Sequence, residues 1–255
     1  MASSIRIPGS KKGLELRSLC AKFLSGFGLL LFLFSHGFAA SSSQHSAACG
    51  EIHQSYLLSV PNLLANPGDL LPTIVLLHGA GDKPANMIEA WRRFAQKQRI
   101  VLLAPELPRD PKFEVAAPGV FRCIVEDAKH VAHIDPQRVY IFGNSMGGYL
   151  AYDAAMYQAQ YFAAIAVHAM IIADEYASIV EIPKRKMPVA MYIGDHDQFF
   201  SVGSMHKTRD MLRKEEFPVH YVEYVNHDHN YYDKSDEINA DAWKFFKDVR
   251  LPGKP

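Results

Sequence analysis

A serine at position 145 stands between two glycines, Gly143 and Gly147, where the apolar run 139–142 gives way to a helical pattern. That spacing suits nucleophilic chemistry. A strand that turns into a helix within so few residues holds the middle residue in a strained backbone conformation, and side chains two positions either side would collide. The turn lifts the Ser145 hydroxyl above the strand and sets the Met146 N–H at a helix start, where it can face an oxyanion. A serine hydroxyl stays a poor nucleophile until a base takes its proton and a carboxylate orients that base. Both types follow in the chain. Gly194-Asp195-His196-Asp197 comes after the run 189–193, and Asn226-His227-Asp228-His229-Asn230-Tyr231-Tyr232 comes after 220–225. Either aspartate can supply the carboxylate, and either His227 or His229 the base. One aspartate in a strand-end turn usually serves only the turn. Three roles in order, each at the end of a strand, form a constellation. Upstream, His78-Gly79-Ala80-Gly81-Asp82 follows the run 73–77. A loop of this kind offers a second oxyanion N–H, from Ala80, alongside that of Met146.

Positioning these residues requires strands that end on one side of a sheet. The continuous apolar runs 73–77 and 100–104 read as strands buried on both faces, and further strands read at 138–142, 163–167, 189–193 and 220–225. A further strand is expected at 55–60. Helical spacing marks 88–95, 120–133, 204–214 and 237–249. Strands alternating with helices predict an α/β fold: a mostly parallel sheet, helices on both faces, and the site at the C-terminal strand ends. The domain is expected over 55–255, with little room for a lid. Substrate choice is expected to lie in loops 105–119 and 168–187. Trp91 and Phe94 read as core, and Lys184-Arg185-Lys186 as a solvated loop.

The segments 77–82, 134–148, 194–197 and 228–232 together resemble the α/β-hydrolase superfamily. The likeness is to its compact esterase branch, the polyhydroxybutyrate-depolymerase-like, feruloyl-esterase-like and esterase D-like enzymes, and it spans 73–250. The resemblance implies Ser145 as nucleophile with oxyanion N–H groups from Ala80 and Met146. It favours Asp197, three residues past the strand-end glycine, over Asp195. The sequence Asp228-His229-Asn230-Tyr231-Tyr232 is similar to the esterase D pattern and selects His229, whereas a depolymerase-like alignment selects His227. The implied activity is hydrolysis of a carboxylic ester, small or polymer-derived, through an acyl-enzyme and without a cofactor. A thioesterase or lysophospholipase using the same residues, and a silent binding protein of the same fold, are the other readings.

The remaining chemistry is bounded by absences in the sequence. His227-x-His229 has the spacing of a metal pair, but no further Asp-His follows and there is no H-E-x-x-H, so no metal is expected. No phosphate-cradling glycine motif is present, and the formal net charge of zero argues against a nucleic-acid partner. At the N-terminus, Arg6, Lys11, Lys12, Arg17 and Lys22 precede the apolar run 23–34, and Ala39 and a polar stretch follow. This is the layout of a secretory signal over 1–39 and predicts a secreted or periplasmic protein. An uncleaved anchor is the alternative, and the only expected contact with a membrane. Residues 40–54 read as a polar leader. In an exported chain, Cys49 and Cys123 are candidates for a disulfide.

Overall fold

The computed structural model describes residues 42–62, 68–108 and 111–253. The expected signal or anchor over 1–39 lies outside the described residues. Eight strands form one sheet in the order β1-β2-β4-β3-β5-β6-β7-β8. They are β1 (Ser42–Cys49), β2 (Ile52–Ser59), β3 (Leu71–Leu77), β4 (Val101–Pro105), β5 (Ile134–Asn144), β6 (Ala164–His168), β7 (Val189–Gly194) and β8 (Val219–Tyr224). β1 pairs antiparallel with β2, and β2 antiparallel with β4. From β4 to β8 every neighbouring pair is parallel. The helices are α1 (Pro84–Gln98), α2 (Pro111–Ala128), α3 (Met146–Tyr157), α4 (Val202–Lys214) and α5 (Ser235–Phe246). This is an α/β-hydrolase-like arrangement.

Alternation along the strands divides the core in two. In β3, Val75 and Leu77 join one buried cluster while Ile74 and Leu76 join the other; in β4, Val101 and Leu103 part from Leu102 and Ala104 in the same way. The two-residue period of a strand sends successive side chains to opposite faces. Helices α2, α3 and α4 cover the first face with residues such as Phe121, Leu150 and Leu212. Helices α1 and α5 cover the second with Trp91 and Phe246.

Three expectations need correction. Residues 42–49, expected within a polar leader, form edge strand β1, paired residue for residue with β2. A disulfide joins its last residue, Cys49, to Cys123 in α2. Helix α2 starts at Pro111 and ends at Ala128, not over 120–133, so much of the expected loop 105–119 is helical. Pro118 lies inside this helix and removes one backbone hydrogen bond. The buried stripe Phe113, Ala117, Val120, Phe121, Ile124 and Val125 outweighs that loss by packing on the sheet. The third concerns Arg185, which is no solvated loop residue. It donates to the carbonyls of Ala159 (2.6 Å), Phe162 (3.0 Å) and Ala163 (2.6 Å), tying the segment before β7 to the connection between α3 and β6.

Candidate active site

Ser145 sits between β5 and α3 with φ 51° and ψ −119°, in the region that favours glycine. The surrounding backbone holds it there: its N–H donates to His168 O (2.9 Å) and its carbonyl accepts from Gly148 N (2.7 Å). The two flanking glycines are forced by contact. A Cβ at Gly143 would meet Gly147 O at 2.3 Å, and one at Gly147 would meet Leu77 O at 2.2 Å. Met146 is the first residue of α3, so its N–H has no acceptor inside the helix. The His78–Asp82 loop runs beside the turn, and Ala80 lines the same cleft as Ser145.

The loops after β7 and β8 are laced together backbone to backbone. Asp195 N donates to Tyr224 O (3.0 Å) and His196 N to His227 O (2.9 Å). They run so close that a Cβ at Gly194 would lie 1.9 Å from His227 O. This lacing sets Asp197 beneath His229: His229 Nδ1 is 2.7 Å from Asp197 Oδ2, and His229 Nε2 is 2.9 Å from Ser145 Oγ. The second carboxylate oxygen of Asp197 accepts from the N–H groups of Phe199 (2.8 Å) and Phe200 (2.9 Å). Burial would raise the Asp197 pKa, but the hydrogen bonds from His229, Phe200 and Phe199 and the nearby imidazole charge outweigh it and hold the carboxyl below its ordinary value. The ring of Phe199 packs edge-on against His229 at 4.6 Å between centroids.

The sequence alternatives separate here. Asp195 accepts only a long contact from His227 N (3.4 Å) and its side chain approaches His196 at 4.0 Å. His227 turns inward, 2 % exposed, with Nε2 3.1 Å from His168 Nε2. His227 and His229 therefore face different neighbours rather than a shared ion. Among the described residues no group of three or more His, Cys, Asp or Glu side chains is placed to hold a metal.

Sequence reasoning passed over a second layer. His168 Nδ1 lies 2.9 Å from Asn144 Oδ1, so His168 carries its proton on Nδ1 and His227 Nε2–H donates to His168 Nε2. Burial first, and then the repulsion a proton here would meet from neighbouring imidazoles, push the His168 pKa down to about 3, and burial lowers that of His227. Two neutral imidazoles thus link Asn144, beside the serine, to the loop that carries His229. Tyr232 donates to the Asp82 carboxylate and so joins that loop to the glycine-containing one. The Tyr pair in 228–232 was a visible signal for Tyr232; no local pattern marks the contact of His168 with His227, 59 residues away.

These groups open into a cleft of about 470 Å³ lined by Ala80, Ser145, Phe199, His229 and Tyr232 among others. Larger grooves of about 640 and 760 Å³ lie elsewhere and contain neither Ser145 nor His229.

Comparison with known proteins agrees with this architecture. A Klebsiella pneumoniae protein described as a dienelactone hydrolase superposes with a TM-score of 0.70 at 15% identity, covering 83% of this chain and 100% of its own. An S-formylglutathione hydrolase from Agrobacterium tumefaciens gives a TM-score of 0.65 at 20% identity, covering 83% and 95%. At these identities the likeness is one of fold. In sequence, a multifunctional-autoprocessing repeats-in-toxin from Vibrio vulnificus is 32% identical over 120 residues, 44% of this chain but 2% of the toxin. The profile of the dienelactone hydrolase family matches residues 108–248, more than half of the chain and including Ser145, Asp197 and His229. The chain belongs to the dienelactone hydrolase family.

Proposed function

We propose that this protein is an exported serine esterase that works through an acyl-enzyme. The observation that carries the reading is the continuous chain from Ser145 Oγ to His229 (2.9 Å) and from His229 to Asp197 (2.7 Å). Ser145 attacks the ester carbonyl while His229 Nε2 takes its proton. Asp197 keeps the other imidazole proton on Nδ1 and stabilises the imidazolium that forms. The N–H groups of Ala80 and Met146 receive the oxyanion, His229 returns the proton to the leaving alcohol, and water repeats the cycle to release the acid. The reaction needs no cofactor. A thioester would follow the same route. Export is supported by the basic and apolar layout of residues 1–39 and by the Cys49–Cys123 bridge, a bond that persists in oxidising compartments.

The test is hydrolysis of p-nitrophenyl esters by the purified protein beside Ser145→Ala. Turnover should fall at least about a thousandfold in the variant. Equal turnover in both proteins would place the chemistry elsewhere. No turnover by folded wild-type protein on any ester or thioester would favour a silent binding protein.

A further inference from the structure

Beside the cleft lies a second cavity of about 170 Å³ with an almost wholly apolar wall, formed by Tyr149, Tyr152, Met170, Ile171, Ile172 and Phe200. The elements that hold the nucleophile also build this chamber. Tyr149 is one helical turn, about 6 Å, along α3 from Ser145. Met170 follows β6, whose last residue accepts the Ser145 N–H. Phe200 lines both spaces. Its N–H is held by Asp197 at 2.9 Å, and its ring centroid lies 6.0 Å from that of His229. Phe200 is therefore the partition between the reacting atoms and the apolar space.

Unfilled apolar space costs stability, so keeping it one helical turn from a strained serine calls for an occupant. Size and wall chemistry narrow the choice. An apolar cavity of about 150 Å³ stays dry and takes up benzene. Tyr149, Asp153, Tyr176 and Ile179 line both this chamber and the groove of about 760 Å³, so a chain long enough to continue from one into the other would run beside the Asp153 carboxyl. We propose that the chamber receives a compact apolar group of the substrate ester, a single aromatic ring or about four to six carbons, with Phe200 controlling entry. This assignment rests on the ester-hydrolase reading of Ser145.

Two ester series distinguish the side of the ester that enters. One varies the acyl group of methyl esters from acetyl to decanoyl and benzoyl. The other varies the alcohol of acetates from methanol to decanol and benzyl alcohol. One series should peak at the ring-sized group, with kcat/KM about tenfold above its smallest member, and the series that peaks names the side. Ala173→Phe, which crowds the chamber wall, should lower kcat/KM for the peak substrate about tenfold more than for methyl acetate. Ile171→Trp repeats the measurement if the first variant does not melt cooperatively. Fluorobenzene binding, followed by fluorine NMR, reads the chamber without turnover: Ser145→Ala should bind it saturably, and the double variant with Ala173→Phe should not. A peak that survives both filling variants, or fluorobenzene that does not bind, overturns the chamber. Fluorobenzene that binds and is lost on filling, in a protein that cleaves no ester, supports the chamber and overturns only the esterase reading.

Discussion

At the scale of single residues, the site is a problem of orientation. Asp197 is fully buried on its side chain and points one oxygen at His229 and the other at two backbone N–H groups, so it holds the imidazole in one tautomer. Asp197→Asn keeps the size and loses the charge, and its amide can force the imidazole into the unproductive tautomer. Under the proposed mechanism kcat should fall by about 10³–10⁴-fold with the fold intact, while Asp195→Asn should retain most of the rate. Steady-state kinetics on the two variants decide the matter; equal losses would mean that the carboxylate role is misassigned. The choice between the two histidines was open in the sequence because they are two residues apart on one loop. Only packing separates them: His227 is drawn into the interior by His168, which leaves His229 to face Ser145.

At the scale of elements, the site depends on how closely neighbouring segments approach. The turn before α3 tolerates no side chain at Gly143 or Gly147, and those two glycines were legible as a motif. The equally tight contact of Gly194 with His227 O was not, because it joins loops 33 residues apart and has no local pattern. The start of α2 was not legible for a related reason: the stripe that buries Phe113 and Ala117 acts only against the assembled sheet. β1 was missed because an edge strand with one face in solvent has no continuous apolar run. It is held by pairing with β2 and by the Cys49–Cys123 bond, which closes 74 residues of chain. In the chain-entropy account this bridge contributes about 4 kcal/mol. Cys123→Ser should therefore lower Tm by about 8–16 °C, as should reduction of the wild type. A melt unchanged by either treatment would show that the bridge adds nothing to stability.

At the scale of the whole molecule, the buried imidazoles make folding sensitive to acid. An unfolded histidine takes a proton near pH 6.5, whereas His168 in the fold resists it down to about 3. The unfolded chain therefore binds more protons between these values. Stability is full above about pH 6.5 and declines as pH falls toward about 3. By pH 5 the loss from His168 is on the order of 2 kcal/mol, or about 4–8 °C in Tm. His227, also lowered by burial, acts with the same sign. Asp197 has a lowered carboxylate pKa, so its contribution is present above about pH 3.9 and is lost only as pH falls further, outside the window in question. Thermal melts at pH 7.5 and 5.0 should show a smaller drop for His168→Gln than for wild type. The same drop in both proteins would locate the acid sensitivity elsewhere.

The sequence by itself determined the α/β fold class, the strands β3 to β8 to within a few residues, the glycine-serine-glycine turn and the chain order of the serine, aspartate and histidine. Each of these is written in short-range periodicity or in a motif whose spacing is enforced by collisions within a few residues. Tertiary structure decided which histidine faces Ser145 and which aspartate faces that histidine. It also decided that 42–49 pairs as a strand and that α2 runs through Pro118. The apolar chamber behind Phe200 belongs to the same class. Its wall is assembled from α3, the segment after β6 and the turn after β7, and the physical reason is common to all of these: the contacts join residues far apart in the chain, whose approach depends on the sheet that brings their strand ends together.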